Sequence, residues 1–345
     1  MNFLEGQEPY IIAEIGANHN GDMNLARKLI KTAKKVGADS VKFQSWDTTL
    51  FSKSVYEDNY FLSDDYRNRS DHTLKSIVKE FAVSDEDLFE LSIFCKNQGI
   101  DFSSTPFDIN QVDPLVKIGA PYIKIASMDI NNDRLLVKAA STKLPVLLST
   151  GMATLGEIDT AVTTLEKENV VQIVLLHCTA LYPTPPNEIN LLAMDTLRQF
   201  GYPVGFSDHS LGPEIALAAI ARGAIVIEKH FTIDKTMFGW DHHMSMNPEE
   251  MEILCKGAQR IHSALGDARR IVGEKEFRQR AAFRRSIVSS RDLKSGEILT
   301  EDCVVYRRPG TGLDPLFLDH ILGMRLIRDL PYDSMIKITD LASGV

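Results

Sequence analysis

Several protein classes are excluded by what this sequence lacks. Its four cysteines, Cys95, Cys178, Cys255 and Cys303, stand far apart with no CxxC pair, so neither a zinc ribbon nor a disulfide framework is implied. No apolar run approaches the roughly 18 residues that a membrane span needs. The opening MNFLEGQEPY has no basic region followed by an apolar one and does not read as a secretory signal. Basic side chains are in the minority, 38 against 47 acidic, for a net charge of −9. That balance argues against nucleic acid or an anionic membrane as partner, because both require clustered Lys and Arg. An anionic small molecule stays possible, since charge inside a pocket can oppose the net sign. These absences read as a soluble, cytoplasmic protein. With 345 residues and 44% hydrophobic side chains, the chain can form one large domain plus a small one, or two medium ones.

What is present is alternation. Eight short β-branched apolar runs each stop at polar residues. Residues 10–13 precede Glu14, 40–43 carry Lys42 and lead to Gln44, and 101–104 precede Thr105. Residues 122–126 carry Lys124 and precede Ser127, 146–148 precede Ser149, and 173–176 precede His177. The last two, 204–206 and 225–227, precede Ser207-Asp208-His209 and Glu228-Lys229-His230. Helical periodicity appears between most of them, over 23–36, 84–97, 132–140, 155–167, 191–198, 213–221 and 248–264. Ser84 with Asp87, and Thr154 with Glu157, have the capping-box pattern of helix starts. Eight strand–helix repeats fit a (β/α)8 TIM barrel better than a doubly wound sheet. No GxGxxG or GxxxxGKS/T follows any of the strands, which also weakens the doubly wound alternative. One connection, 45–83, is far longer than the others and mixes aromatic with acidic residues, as a lid would. The expected organisation is a barrel over 1–265, a basic linker over 266–285 and a small, mostly β module over 286–345.

In such a barrel the strand C-termini build the active site, so the polar residues above converge on one mouth, joined by Tyr182. Lys42 and Lys124 lie mid-strand among apolar neighbours, and with Thr and Ser hydroxyls they suit a phosphorylated or carboxylated ligand. His209 and His230 end neighbouring strands. They read either as two ligands of a labile Mn²⁺ or Mg²⁺ or as a hydrogen-bonded histidine pair. His242-His243 is a weaker pair, because adjacent loop residues rarely chelate one ion together. His177 reads equally well as structural. Glu14 and Glu228 are candidates for acid–base work or for binding sugar hydroxyls.

The motifs IIAEIGANHNGD, DSVKFQ, DFSSTPFD, YIKIAS, LLSTGMAT, LLHCTALYPTP, VGFSDHS, IEKHFTID and RRPGTGL, in this order over nearly the whole chain, resemble the sialic acid (N-acetylneuraminate) synthase family. The resemblance includes a C-terminal antifreeze-like (SAF) module. It implies a transferase of nonulosonic acid biosynthesis that condenses phosphoenolpyruvate with an N-acylated hexose and releases phosphate. It also implies dependence on Mn²⁺ or Mg²⁺. A domain-swapped homodimer is implied too, in which one chain's module covers its partner's barrel mouth. Carried over by motif, His209 and His230 are the metal ligands. Lys42, Thr105, Lys124, Ser127, Ser149 and Ser207 form the phosphoenolpyruvate side, and Gln44 is a further substrate-binding candidate. Glu14 activates the attacking water. Glu228, Tyr182 and Asp241 contact the acceptor sugar, and Arg308 reaches across the dimer to its acyl group.

Two positions depart from the family pattern. Ala180 stands where the sialic acid enzymes commonly have Asn, and Trp240 replaces a Pro. Both are expected on the acceptor side. N-acetylmannosamine is the default acceptor. A di-N-acylated trideoxyhexose, leading to legionaminic or pseudaminic acid, is the alternative that Ala180 and Trp240 would suit. A Schiff-base aldolase using Lys42 or Lys124, and a non-catalytic glycan- or ice-binding protein, are more distant alternatives.

Overall fold

The structure is a computed structural model that describes residues 8–58 and 73–342. Residues 59–72 of the expected lid lie outside the described residues. The chain divides into two compact units, Met1–Gly266 and Asp267–Val345.

The first unit is the barrel that the strand–helix alternation predicts. Its strands are β1 (Tyr10–Gly16), β2 (Ser40–Ser45), β3 (Asp101–Pro106), β4 (Ile123–Ile125), β5 (Val146–Ser149), β6 (Ile173–Cys178), β7 (Val204–Asp208) and β8 (Val226–His230). All pairings in this sheet are parallel, in the order β3-β2-β1-β8-β7-β6-β5-β4. β3 and β4 close the ring, with Ser103 Oγ donating to the carbonyl of Tyr122 at 3.0 Å. Helices follow the strands for local reasons. Met23–Val36 places Ala26, Leu29, Ile30, Ala33 and Val36 on one buried stripe, starts where Asp22 accepts from the Asn24 N–H, and stops at Gly37 with φ 99°.

Strand alternation then sorts side chains to two faces. Ile12, Tyr122, Leu147, Val174, Leu176 and Val226 point inward and fill the barrel floor. Their neighbours, such as Ile11, Ala13, Val146, Ile173 and Ile227, point outward into the layer beneath the helices. Each such Val, Leu or Ile side chain contributes about 1.5–3 kcal/mol by burial. Inward packing is tight at Gly205, where a Cβ would stand 2.5 Å from Leu176 Cδ2 and 2.6 Å from the Val226 carbonyl.

Several elements differ from the sequence expectation. Most strands run one to three residues further than their apolar cores and take in Glu14, Gln44, Thr105, Ser149, His177, Cys178, Asp208 and His230. A short helix, Val112–Lys117, joins β3 to β4. The long 45–83 connection contains helices at Lys53–Asp58 and Leu74–Phe81. The second helix buries Leu74, Ile77, Val78 and Phe81 in an aromatic cluster with Trp46, whose Nε1 donates to the Val78 carbonyl at 3.0 Å.

In the second unit the basic stretch forms two short helices, Glu274–Arg278 and Arg280–Phe283. It is followed by two antiparallel two-stranded sheets: β9 (Ser286–Ser289) with β10 (Val304–Arg307), and β11 (Arg325–Leu326) with β12 (Leu341–Ala342). A separate core of Ile287, Leu293, Leu299, Cys303, Ile321, Leu326, Leu330, Ile336 and Leu341 holds this unit together. All four cysteines are free and buried. Among the described residues no helix is long and apolar enough to cross a membrane.

Candidate active site

The inward alternation that builds the apolar floor continues up each strand and changes chemistry at the C-terminal end. One layer above Ile12, Tyr122 and Val226 stand Glu14, Lys124 and Glu228, with Lys42 beside Glu14 in register. They open into a cavity of about 410 Å³. Its walls also include Gln44, Thr105, Ser127, Ser149, Cys178, Ala180, Tyr182, Ser207, His209, His230 and Asp241.

Two lysines and two carboxylates form the floor of this cavity. Lys42 Nζ lies 2.6 Å from Glu14 Oε2 and 3.7 Å from Glu228 Oε2, and donates to Thr105 Oγ1 at 2.6 Å. Lys124 Nζ is 3.4 Å from Glu228 Oε1, which also accepts from Ser207 Oγ at 3.0 Å. All four charged side chains are 8% exposed or less. Burial and the neighbouring Glu228 push the Glu14 carboxyl upward, only partly opposed by Lys42. Burial also opposes charge on Glu228, but Lys124, Lys42 and the Ser207 hydrogen bond together hold it below the usual carboxylate range. Lys42 loses charge stability to burial and regains more from its two carboxylates, so it stays an ammonium. Lys124 is lowered by burial. Ser149 Oγ is buried without a hydrogen-bond partner.

One layer higher, the rings of His209 and His230 are 5.6 Å apart between centroids. His209 Nδ1 bonds the Thr179 carbonyl at 3.0 Å, so Nδ1 carries a proton and Nε2 is the nitrogen left for a further ligand. His230 Nδ1 is buried with no hydrogen-bond partner, and Asp241 Oδ2 lies 3.8 Å from it. Burial, and the adjacent His209 and Lys42, hold His230 well below its usual range and hence neutral. Among the described residues no group of three or more His, Cys, Asp or Glu could form an all-protein metal cage. The orphaned Nδ1 of His230 and the Nε2 of His209 do fit an ion that takes its remaining ligands from water or substrate. Tyr182 leans on His209 with ring centroids 4.3 Å apart. Burial pushes the Asp241 carboxyl up to about 6.

Side-chain direction corrects several sequence expectations. Asp208 and His177 point away from the mouth: Asp208 pairs with Lys229 at 2.7 Å, and His177 Nε2 bonds the Ile189 carbonyl at 2.7 Å. Cys178, which the sequence reading passed over, is the cavity residue on β6. Its Sγ lies 3.9 Å from His209 Nδ1. Burial opposes ionisation of this thiol, but His209, Ser127 and Lys124 outweigh it and hold the thiol low. The period-two rule counted from Val174 and Leu176 would have selected Cys178 over His177. Glu228 sits between the lysines, in the Ser207 layer of the cavity.

Trp240 does not line the cavity. It packs against Trp46 and Phe81, with centroids 6.1 and 5.6 Å away, so its bulk cannot shape the ligand directly. Its loop is tied down by a buried bond from Asn18 Nδ2 to Ser245 Oγ (2.8 Å) and by one between Thr232 Oγ1 and His242 Nδ1 (2.7 Å). That bond places His242 outside the cavity and leaves Asp241 facing it. Ala180 does line the wall. Arg308 belongs to the second unit, where its guanidinium lies over the Phe283 ring at 5.5 Å.

The sequence and the fold match those of known proteins. The NeuB family model matches residues 29–270 and the SAF domain model residues 284–342. The N,N'-diacetyllegionaminic acid synthase of Campylobacter jejuni is 40% identical over 331 residues, covering 95% of this chain and 98% of its own. A pseudaminic acid synthase of the same species is 34% identical over 341 residues, 98% of each chain. The solved N-acetylneuraminic acid synthetase of Leptospira borgpetersenii, in complex with citrate, superposes with a TM-score of 0.69 at 35% identity, covering 79% of this chain and 90% of that one.

Proposed function

The chain belongs to the NeuB family, an enzyme family of sialic-type acid synthases, and we propose that it condenses phosphoenolpyruvate with a di-N-acylated trideoxyhexose to give a legionaminic-type nonulosonic acid and phosphate. The observation that carries this proposal is the buried Glu14–Lys42–Glu228–Lys124 floor beneath His209 and His230, the latter with an unpartnered buried Nδ1. It offers a phosphate and a carboxylate site directly below a site for a polarised carbonyl. The legionaminic and pseudaminic relatives match almost the whole chain, which favours their acceptor class over N-acetylmannosamine. Ala180 supports the same choice, because it gives the wall an apolar surface where a hydroxyl-rich sugar would want a partner.

Lys42 and Lys124, with Thr105, Ser127, Ser149 and Ser207, hold the phosphate and carboxylate of phosphoenolpyruvate. Tyr182 and Asp241 orient the acceptor so that its aldehyde carbon meets C3 of the enol. His209 and His230 would hold a divalent ion, Mn²⁺ or Mg²⁺, which supplies Lewis-acid polarisation of that aldehyde. As the C3–C bond forms, C2 becomes electron-poor and adds water. Glu14 receives the water's proton, a task that suits a carboxylate raised by burial. The tetrahedral C2 then expels phosphate by C–O cleavage, its developing charge held by the lysine ammoniums. Lys42, kept as an ammonium between two carboxylates, is unsuited to Schiff-base formation. In the homodimer we propose, Arg308 of one copy meets the acceptor's acyl group in the other.

The deciding assay is phosphate release with Mn²⁺, with and without EDTA, against N-acetylmannosamine, its 6-phosphate, mannose and a diacetamido-trideoxyhexose. EDTA-sensitive release with the trideoxy sugar alone is expected. Release with N-acetylmannosamine alone would overturn the acceptor choice, and release unaffected by EDTA or by His209→Ala would overturn the metal role.

A further inference from the structure

We propose that the buried Asp208–Lys229 ion pair, on the outer face of β7 and β8, is a positioning device that sets the separation of His209 and His230. The proposal rests on the metal role of those histidines.

Each member of the pair immediately precedes one of the histidines, so the same two strand ends carry an ion pair on the outside and two imidazoles on the inside. Asp208 and Lys229 are Cα partners, and theirs is the last pairing of the β7–β8 ladder. His209 therefore lies just past the ladder, where no β7–β8 pairing fixes it. Lys229 spans that gap. Its Nζ bonds Asp208 Oδ2 at 2.7 Å, and also the carbonyl and, at 3.4 Å, the hydroxyl of Ser210. Asp208 Oδ1 in turn accepts the Ser210 N–H at 2.8 Å. The residues on both sides of His209 are thus tethered to the residue before His230. On its other side the His209 carbonyl accepts from the Thr184 N–H at 2.9 Å.

Packing alone does not call for charge here. Lys229 and Asp208 are 1% and 0% exposed and sit in the layer that elsewhere holds Ile227, Phe206 and Val204. Apolar residues of similar volume commonly serve a fold as well as a buried pair does. What the pair adds is a bond of fixed length between two strand ends at the height of the histidines. Two-ligand sites depend on such outer support, because no third protein donor holds the geometry.

The test compares the double variant Asp208→Asn/Lys229→Met with the parent protein. Both charges leave together, so neither remains buried alone, and the amide introduced at position 208 keeps an acceptor for the Ser210 N–H. Mn²⁺ binding is titrated by the electron paramagnetic resonance of the free ion, phosphoenolpyruvate binding is titrated without metal, and the thermal midpoint is recorded. The expected result is Mn²⁺ affinity weakened about 10- to 100-fold with phosphoenolpyruvate affinity unchanged. Lys229→Arg, which keeps the charge but moves its point of attachment, should show the same loss in smaller measure. Unchanged Mn²⁺ affinity, or parallel loss of both ligands, would overturn the proposal. A parent protein that takes up no Mn²⁺ would instead overturn the metal role, and the positioning role with it.

Discussion

Replacing Lys42 by Met removes the ammonium that sits 2.6 Å from Glu14 and 3.7 Å from Glu228 while keeping most of the side-chain volume. Two buried carboxylates then share Lys124 alone, 3.4 Å from Glu228. Deleting one partner of a buried pair costs about 3–5 kcal/mol, which for a domain of this size lowers the melting midpoint by roughly 6–20 °C. The loss should depend on pH. A carboxyl whose folded pKa is raised binds more protons folded than unfolded, so its contribution to stability is present at low pH and lost as pH rises above the unfolded value of 4.5. Glu14 is already raised in the parent protein, and losing the ammonium raises both Glu14 and Glu228. The variant should therefore lose stability more steeply than the parent between pH 5 and 8, by up to about 1.4 kcal/mol per pH unit for each extra proton retained. Thermal or urea unfolding of both proteins across that range measures the difference. A variant that is as stable as the parent at pH 7.5, or whose deficit is the same at every pH, would refute the charge arrangement described for the cavity floor.

Gly205→Ala should destabilise the barrel by about 1–3 kcal/mol through overpacking against Leu176 and Val226, read as a lowered urea midpoint without a change in m-value. Ser149→Ala should leave the melting midpoint unchanged, since the hydroxyl has no partner to lose. It should raise KM for phosphoenolpyruvate by the few- to tenfold that about 1 kcal/mol represents, and an unchanged KM would remove Ser149 from the anion site. Trp240→Phe should leave KM for the acceptor unaltered while lowering stability, because the indole packs on Trp46 and Phe81 rather than on the cavity. Arg308→Ala should weaken acceptor binding more than phosphoenolpyruvate binding; equal effects on both would argue against its reach across the dimer.

The barrel was legible because hydrophobic runs and helix starts are local, and the strand–helix unit recurs around the ring. Strand ends were less legible, since a polar residue after an apolar run looks like a stop. At Glu14, Gln44 and Ser149 the strand continues because its inward face has left the apolar floor and entered the mouth. The candidate residues could be found from those ends, but their direction needed the alternation to be followed through, which separates His209 from Asp208 and Cys178 from His177. Trp240 was misplaced for a different reason. The segment between β8 and helix Pro248–Leu265 is mostly irregular, and its course is set by tertiary bonds to Asn18 and Asn20 more than 200 positions earlier. The strands of the second unit are two to four residues long, too short for any period to declare itself.

The cavity floor carries as many carboxylates as ammoniums. Seen by an incoming polyanion it is a salt already at its own end point, with no surplus of positive charge to offer. An anion can settle there only if cations enter with it, as protons on the carboxylates or as a divalent ion on the histidines above. Anion and cation uptake then form one linked equilibrium, in which the affinity measured for either depends on the concentration of the other.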